Sequence, residues 1–240
     1  MLSVVVNYTV WKERRYKLLH MKLCVISNMF YFTKTPSLLK QMYPSCTWNL
    51  SREEQVIYLT FDDGPHPEAT TFVLDKLREY DAKATFFCIG KNVVAQPELY
   101  KRILSEGHAT GNHTYNHVNG WKTSDEEYIR DIGEARKYID SSLFRPPYGR
   151  ISRFQVRLLT ASENIKQPVV FRIIMWDVLS ADFDQTLSAE RCSKNVIANT
   201  RGGSIVVFHD SQKALPRMKV ALTETLKHFS DKGYRFSSIQ

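Results

Sequence analysis

The chain alternates between short apolar runs and longer segments in which apolar residues recur every three or four positions. The short runs are rich in β-branched and aromatic residues, which favours strands, whereas the longer spacing favours helices. Strands are predicted over residues 56–61, 84–90, 143–145, 169–176, 204–208 and 234–236, with a strand or loop over 108–113. Helices are predicted around 38–42, over 68–80, over 92–105 with an interruption at Pro97, from Ser124 towards Ser141, and over 152–161, 188–199 and 215–229.

The order of these elements predicts a single α/β domain. Strand–helix–strand units of this length form parallel sheets, and α/β barrels of about 200–250 residues are commonly single domains. A capping-box pattern from Ser124 to Glu127 marks one of the helix starts. We therefore expect a leader over residues 1–50 and one folded domain over residues 51–240.

Ionisable residues follow the carboxyl ends of the predicted strands. They are Asp62 and Asp63, His113 and His117, Arg145, Asp177 and Asp182, and His209 and Asp210. In a barrel of parallel strands these ends meet on one face, where active sites are built. Each position alone has a structural explanation, such as capping of the next helix. Their repetition at five strand ends predicts a shared site.

Two histidines and one carboxylate form a candidate metal site. The spacing of His113 and His117 puts both imidazoles on one side of a helical turn, and Asp63 supplies a carboxylate. Two neutral nitrogens and one oxygen suit a catalytic zinc site in which one position stays open to water. Cobalt and manganese are also compatible with nitrogen and oxygen ligands. The sequence thus predicts a divalent metal, with zinc as the first choice.

The remaining ionisable residues fit hydrolysis at such a metal. Hydrolysis needs a base to deprotonate water and an acid to protonate the leaving group. We expect Asp62 to be the base, paired with Arg145, and His209 to be the acid. Asp182 or Asp177 would hold His209 protonated and oriented.

The positive charge of the chain lies mainly in the leader. The chain has 33 Lys and Arg, 25 Asp and Glu, and a formal net charge of +8. Seven of the basic residues and one of the acidic residues fall in residues 1–50, which leaves 26 basic against 24 acidic residues in the rest. Because no basic groove with interleaved aromatic residues is evident there, nucleic-acid binding is not expected. The four cysteines are widely spaced, which predicts thiols and not a disulfide framework or a thiolate metal site.

The leader does not match the usual export or membrane signals. No run of about 18 apolar residues predicts a transmembrane helix. The apolar residues 2–10 precede the basic residues 12–17, which reverses the order in a signal peptide, and a start at Met21 gives no small-residue cleavage site. These features favour a cytoplasmic or membrane-peripheral location, with contact between the basic leader and an anionic membrane surface as a weaker expectation. The oligomeric state is left open.

Five ordered motifs resemble those of the polysaccharide deacetylases, the carbohydrate esterases of family four that share the NodB-homology domain. The motifs are residues 60–66 (TFDDGPH), 113–117 (HTYNH), 145–149 (RPPYG), 177–183 (DVLSADF) and 205–209 (IVVFH). The similarity extends from Val56 to the C-terminus, and the order and spacing of the motifs make it specific. It implies that residues 51–240 form a catalytic domain with a distorted, incompletely closed (β/α) barrel of about seven strands.

The resemblance also implies a role for each matching residue. The base would be Asp62, the acid His209, the positioning residues Arg145 and Asp182, the oxyanion donor the backbone N–H of Tyr148, and the metal ligands Asp63, His113 and His117. Phe183 stands where the family often has Trp, a change that bears on substrate fit more than on catalysis.

The implied reaction is removal of N-acetyl, or alternatively O-acetyl, groups from an amino-sugar polysaccharide or oligosaccharide. Peptidoglycan, chitin-like oligomers, exopolysaccharide and acetylated xylan all stay open as substrates. Two other classes of protein are also considered: a carbohydrate-binding protein that has lost turnover, and a non-haem iron oxygenase, which uses two histidines and a carboxylate. Neither of them requires Asp62, Arg145 and His209 together, so a metal-dependent hydrolase is the main hypothesis.

Overall fold

A curled sheet of parallel strands forms the centre of the protein in a computed structural model, which describes residues 31–161 and 170–240. The strands are β1 (Val56–Asp62), β2 (Thr85–Cys88), β3 (Ala109–Asn112), β4 (Leu143–Phe144), β5 (Arg172–Ile173), β6 (Val178–Leu179), β7 (Ile205–His209) and β8 (Arg235–Phe236). Their order is β5-β4-β3-β2-β1-β7-β6, and β8 pairs with the first residues of β1. Each of these pairs is parallel. This architecture confirms the predicted distorted, incompletely closed (β/α) barrel.

Helices surround the sheet and bury its central strands. They are α1 (Ser37–Met42), α2 (Pro67–Glu79), α3 (Gly90–Ala95), α4 (Pro97–Ser105), α5 (Asp125–Arg136), α6 (Arg153–Thr160), α7 (Ala189–Asn199) and α8 (Leu215–Ser230). At the centre of the core the ring of Phe61 on β1 stacks on Phe86 and Phe208, with centroids 5.1 and 5.9 Å apart. Each fully buried phenylalanine contributes about 1.5–3 kcal/mol of stability. This packing fixes β1 in the middle of the barrel, so the residues at its end have a rigid support.

The helices agree with the predicted segments and differ in detail. Residues 92–105 divide into α3 and α4, with Pro97 at the first position of α4, as its fixed φ and missing N–H favour. Ser124 caps α5 by accepting a hydrogen bond from Glu127 N, whereas the full reciprocal capping box lies at Ser152 and Gln155 before α6. The helix that we predicted to run towards Ser141 ends at Arg136.

The apolar run over residues 169–176 does not form one long strand. Within its described part it forms the short strand β5, and a separate strand, β6, follows. The carbonyl groups of Ile174 and Met175 accept hydrogen bonds from the side chain of Arg145, so this stretch serves a buried guanidinium and does not extend the strand. The predicted strand was based on hydrophobicity alone, which does not reveal that the carbonyl groups of Ile174 and Met175 bind Arg145.

Residues 33–50 pack on the barrel, although we placed the domain boundary near residue 50. The compact unit extends from Thr33 to Gln240. Thr47 N donates to the carbonyl of Ile173 and Met175 N donates to the carbonyl of Thr47, both at 2.8 Å. These bonds lie along the edge of β5, which explains why local composition did not reveal them. The rest of the predicted leader, residues 1–30, lies outside the described residues.

Asp177 lies at the amino-terminal end of β6, so its predicted place among the strand ends of the site is wrong. Its carboxylate is buried and pairs with Lys34, Lys40 and Arg52 at 2.8, 2.6 and 2.9 Å. Burial alone would raise the pKa of Asp177, but these cations hold that pKa well below its ordinary value. Asp177 therefore anchors residues 33–52 to the barrel and is not the partner of His209.

Three of the four cysteines are described, and all three are buried free thiols, as predicted. Burial raises the pKa of Cys46 and of Cys192 to about 11, so both stay protonated at neutral pH. Over residues 31–161 and 170–240, no helix combines the length and the apolar composition needed to cross a membrane.

Candidate active site

The ends of neighbouring strands bring the predicted site residues to one face of the barrel. In the register of β1 and β7, Asp62 is paired with His209. His113 directly follows β3, and Arg145 directly follows β4. The structure thus brings together residues from four of the five predicted strand ends, and Asp182 joins them from the loop after β6.

Arg145 holds Asp62 from the interior of the barrel. Its fully buried side chain donates from Nη1 to Asp62 Oδ1 and to Thr60 Oγ1, both at 2.7 Å. Its Nε and Nη2 donate to the carbonyl groups of Ile174 and Met175 at 3.0 and 3.1 Å. A guanidinium held at this many points is itself immobile, so it fixes one orientation of the Asp62 carboxylate.

Asp63, His113 and His117 converge beside this pair. Asp63 Oδ1 lies 3.2 Å from His117 Nε2 and 3.8 Å from His113 Nε2, and the three candidate ligand atoms lie within 4.8 Å of one another. His113 Nδ1 donates to the carbonyl of Arg145 at 2.7 Å. In a neutral imidazole that bond puts the proton on Nδ1 and leaves the lone pair of Nε2 facing Asp63.

A divalent cation fits this set of donors. Asp63 Oδ1 is buried, and no group within the described residues donates a hydrogen bond to it. A buried carboxylate oxygen without a partner is costly, and a cation between the three side chains would remove that cost. Burial lowers the pKa of His113 to about 4, so its imidazole is neutral, as a ligand must be. Burial opposes ionisation of Asp63, but His117, His209 and His113 outweigh it and hold the pKa of Asp63 well below its ordinary value.

The two histidines lie on an irregular loop and not on the helical turn that we predicted. Thr114 and His117 have positive φ values of 62° and 60°, which lie outside the right-handed helical region. Asn112 Oδ1 accepts a hydrogen bond from Thr114 N at 2.8 Å. Asp131 on α5 accepts two backbone N–H bonds from the same loop, at 2.8 and 2.9 Å. These side chains hold a curled backbone that turns both imidazoles towards Asp63.

Unfavourable backbone conformations are concentrated at this site. Six non-glycine residues in the described part of the chain have positive φ, and five of them are Asp63, Thr114, His117, Tyr148 and Ala181. Ala181 directly precedes Asp182. Such conformations cost on the order of 1–3 kcal/mol each, persist only where the surrounding structure enforces them, and cluster at functional sites. This concentration is an indication of function that does not depend on any motif.

His209 and Asp182 form a second charged pair at the same face. His209 Nδ1 lies 2.7 Å from Asp182 Oδ1, and Asp182 Oδ2 accepts a hydrogen bond from the backbone N–H of His209 at 2.9 Å. Burial alone would lower the pKa of His209, but Asp182 outweighs burial and the pKa rises to about 9. The imidazole is therefore protonated at neutral pH. The ring of Phe183 packs edge-on against it, with centroids 5.1 Å apart.

Tyr148 lies at the rim of the site and contacts a candidate ligand. Its side chain is 61% exposed, its ring centroid lies 4.5 Å from that of His117, and its Oη lies 3.1 Å from His117 Nδ1. Its φ is 59°, and no acceptor within the described residues takes its backbone N–H. That N–H is thus available to a substrate, as the predicted oxyanion role requires.

Asp210 supports the turn that follows β1, a role that the sequence did not reveal. Its Oδ1 accepts from Gly64 N at 3.0 Å, and its Oδ2 accepts from Thr70 Oγ1 at 2.5 Å. A Cβ at Gly64 would lie 2.0 Å from this carboxylate, so only glycine fits. Burial raises the pKa of Asp210 to about 8. Asp131 and Asp210 both support the site. Asp131 lies in a predicted helix, where exposure is the ordinary expectation, whereas Asp210 was placed at a strand end without an assigned role.

Comparisons with known proteins agree with this arrangement. Residues 49–165 match the family model described as polysaccharide deacetylase. A peptidoglycan-N-acetylglucosamine deacetylase of Bacillus cereus is 37% identical over 209 residues, which cover 84% of this chain and 95% of that protein. A chitooligosaccharide deacetylase of Azorhizobium caulinodans is 34% identical over 168 residues, which cover 67% of this chain and 76% of that protein.

A solved structure is similar over most of the chain. The crystal structure of the Bc1960 peptidoglycan N-acetylglucosamine deacetylase in complex with 4-naphthalen-1-yl-N-oxidanyl-benzamide superposes with a TM-score of 0.75 at 32% identity. The match covers 85% of this chain and 95% of that chain, so it extends past residue 165. The motifs, the barrel and these similarities together establish that the chain belongs to the polysaccharide deacetylase family.

Proposed function

We propose that the protein is a divalent-metal-dependent hydrolase that removes acetyl groups from N-acetylated amino sugars of a glycan. The observation that carries the proposal is the buried Asp63 Oδ1, which faces His113 and His117 and takes no hydrogen bond within the described residues. Two relatives are named deacetylases of peptidoglycan N-acetylglucosamine and of chitooligosaccharides, which supports N-acetyl over O-acetyl groups.

The three candidate ligands would hold the metal, with zinc as the first choice and cobalt or manganese compatible with the same donors. A bound divalent cation polarises a carbonyl group and lowers the pKa of a nearby water. The protein supplies a neutral imidazole at His113, an ionised carboxylate at Asp63, and backbone supports that keep both in place.

Asp62 would take the proton from the attacking water. Its Oδ1 is occupied by Arg145, whereas no donor of the described part of the chain binds its Oδ2. That free oxygen is the one able to accept the proton. Arg145 thereby acts through Asp62 and is a positioning residue. Its burial also keeps solvent away from the interior side of the carboxylate.

His209 would give a proton to the departing amine. Asp182 occupies Nδ1, so the proton on Nε2 stays for the leaving group. The negative charge of Asp182 keeps the imidazole protonated until that step, and attraction to the same carboxylate keeps the ring oriented. The backbone N–H of Tyr148 would donate to the oxyanion, and removing one such donor typically costs about 3 kcal/mol of transition-state stabilisation.

Acetate release tests the proposal directly. Purified protein is incubated with N-acetylglucosamine oligomers as isolated, after chelation, and after addition of zinc, cobalt or manganese. We expect release that stops on chelation and returns with metal, and no release from Asp63→Ala. Full activity in metal-free Asp63→Ala would overturn the mechanism.

Metal analysis of the same preparations separates the competing classes of protein. Bound iron together with oxygen consumption and no acetate release would indicate an oxygenase. Glycan binding without acetate release, in protein that holds its metal, would indicate a binding protein. Both results would overturn the proposed hydrolase.

A further inference from the structure

A strip of aromatic and cationic side chains leads away from the candidate site. We call it the Trp121 strip, and it consists of Tyr148, Arg150, Trp121 and Lys122. Tyr148 contacts the candidate ligand His117 through its ring and its hydroxyl. Arg150 follows Tyr148 by two residues, and its guanidinium carbon lies 4.3 Å from the centroid of the Trp121 ring. Tyr148 thus brings one end of the strip into contact with the metal-ligand loop.

The indole of Trp121 is held in place although it is exposed. Its Nε1 donates to the carbonyl of Ile151 at 3.0 Å, and its backbone N–H donates to Asn119 Oδ1 at 3.0 Å. A Cβ at Gly120 would lie 2.5 Å from the carbonyl oxygen of Arg150, so the two loops are in close contact. Trp121 is nevertheless 58% exposed. Arg150 lies over the ring and the polar edge is bonded, so the exposed part of this side chain is mainly apolar surface.

The cations of the strip have no acidic partners. Some basic residues elsewhere on the surface pair with carboxylates, as Lys76 does with Glu79 at 2.7 Å and Lys137 does with Glu134 at 2.6 Å. Within residues 31–161 and 170–240, no carboxylate forms an ion pair with Arg150 or Lys122. The N–H groups of a guanidinium point outward in its own plane, so the Arg150 guanidinium over the indole is able to bind an anion in two-point fashion.

We propose that the Trp121 strip is a glycan-binding subsite that favours amino-sugar chains carrying carboxylate groups. The inference rests on the proposed function, because it assigns the strip to sugars adjoining the one that is deacetylated. The C–H groups on one face of a pyranose ring pack on an indole, and a carboxylate matches the guanidinium of Arg150. Glycan strands in which N-acetylglucosamine alternates with N-acetylmuramic acid have this composition where no peptide is attached, since the lactyl group of each unsubstituted muramic acid then carries a free carboxylate. Chitooligosaccharides are neutral.

Two probes that share one glycan backbone and differ in the charge of the lactyl groups test the subsite. One is a tetrasaccharide of alternating N-acetylglucosamine and N-acetylmuramic acid with free lactyl carboxylates, and the other is its bis-methylamide. We expect the metal-loaded protein to deacetylate the free acid with about tenfold higher kcat/KM, the scale of one hydrogen-bonded charge pair. Arg150→Gln should remove this preference by raising KM for the acid with kcat unchanged. Trp121→Ala should raise KM for both probes, since stacking does not depend on the charge of the sugar.

A matched control is Arg157→Gln, because the Arg157 guanidinium also lies over an exposed ring, that of Phe154, at 5.9 Å. This variant should keep the wild-type preference. Equal kcat/KM of wild-type protein on the two probes, or an unchanged preference in Arg150→Gln, overturns the subsite while acetate release from chitooligosaccharides still supports the proposed function.

Binding measurements keep the two proposals distinguishable if no acetate is released from any glycan. Calorimetry of the Asp62→Asn variant with the same two probes should give about tenfold tighter binding of the free acid. That result supports the subsite although the proposed hydrolysis has failed. Equal affinity for the two probes overturns the subsite.

Discussion

Asp62 and Asp63 are adjacent in sequence, but their carboxylates have different partners. Asp62 Oδ1 accepts a hydrogen bond from Arg145 Nη1 at 2.7 Å, whereas Asp63 Oδ1 lies 3.2 Å from His117 Nε2. Asp63 has a φ of 83°, which turns the chain between the two side chains. One carboxylate is thus held by a cation of the protein, and the other is placed to bind an added cation.

Replacing each aspartate by asparagine should separate these two roles. Asp62→Asn should retain metal and lose acetate release by a factor of about 10²–10⁴, the range for a general base. Asp63→Asn should weaken metal binding itself, because an amide oxygen attracts a divalent cation less than a carboxylate does. Metal content after dialysis and competition with a chromophoric chelator measure the difference. Equal loss of metal in both variants would contradict the division of roles.

Arg145→Lys should destabilise the protein although it keeps the charge. A lysine ammonium does not reach Asp62, Thr60 and the two carbonyl groups together, so buried acceptors lose their donors. We expect a loss of about 3–5 kcal/mol in the free energy of unfolding, measured with urea. Arg157→Lys on the surface of α6 is the control and should change stability by less than about 0.5 kcal/mol. A similar small change at Arg145 would show that the guanidinium network is dispensable.

Asp182→Asn should move the alkaline limit of activity to lower pH. The pKa of His209 is raised to about 9 from an ordinary value of 6.5, chiefly by Asp182 acting against burial. The pair therefore stabilises the folded protein fully below about pH 6.5, and this stabilisation is lost as the pH rises through about 9. The Asp63 carboxylate also attracts the protonated imidazole of His209, and a cation bound to Asp63 would offset that attraction. The alkaline limb of the wild-type activity profile should therefore lie below pH 9 in metal-loaded protein.

The pH dependence of kcat/KM, measured for wild type and Asp182→Asn with the same metal, checks this prediction. Without the carboxylate, burial dominates and His209 loses its proton at lower pH, so the alkaline limb should shift by more than about one pH unit. An alkaline limb that stays in place would mean that another group sets it.

Much of the site was predictable because strand ends are local features of the sequence. The apolar runs before Asp62, Arg145 and His209 identified β1, β4 and β7, and parallel strands bring such ends together. The roles proposed for these residues follow from the chemistry of each side chain. Predicting that these residues lie in one cluster required only the order of strands and helices along the chain.

The misplaced features depend on contacts between distant residues. Asp177 and Asp182 lie in the same motif, and only the position of β6 puts one at the start of a strand and the other beside His209. The curled loop before His117 depends on Asp131, which is distant in sequence from the ends of the strands. No local pattern contains that information.

Tyr148→Phe should weaken metal binding without removing the candidate oxyanion donor. The substitution keeps the ring and the backbone N–H and deletes the hydroxyl that lies 3.1 Å from His117 Nδ1. Loss of a partner that orients a histidine ligand typically lowers metal affinity 10–100-fold, and we expect about tenfold here because Tyr148 is exposed. Metal competition assays measure the affinity, and kcat at saturating metal should stay close to wild type. The control is Tyr43→Phe. The Tyr43 hydroxyl donates to the carbonyl of Ile151, away from the candidate ligands, so its loss should leave metal affinity unchanged.

Asp177→Asn should lower stability and leave the chemistry unchanged, which tests the assignment of Asp177 to an anchor. Its pKa is held well below its ordinary value of 3.8 by Lys34, Lys40 and Arg52. The stabilisation is therefore present above about pH 4 and is lost as the pH falls through the depressed pKa. We expect a loss of about 2 kcal/mol at neutral pH, less than for a fully buried pair because these cations are 22–36% exposed.

Urea unfolding at pH 7 and at about pH 2, below the ordinary pKa of the carboxyl group, checks the assignment of Asp177, with kcat measured at pH 7 well below the unfolding temperature. The stability difference between wild type and Asp177→Asn should shrink at the lower pH, and kcat should stay within about twofold of wild type. A shifted alkaline limb of activity in this variant would instead couple Asp177 to His209. The 2.7 Å contact of His209 with Asp182 argues against that coupling, since it occupies the nitrogen through which a second carboxylate would act.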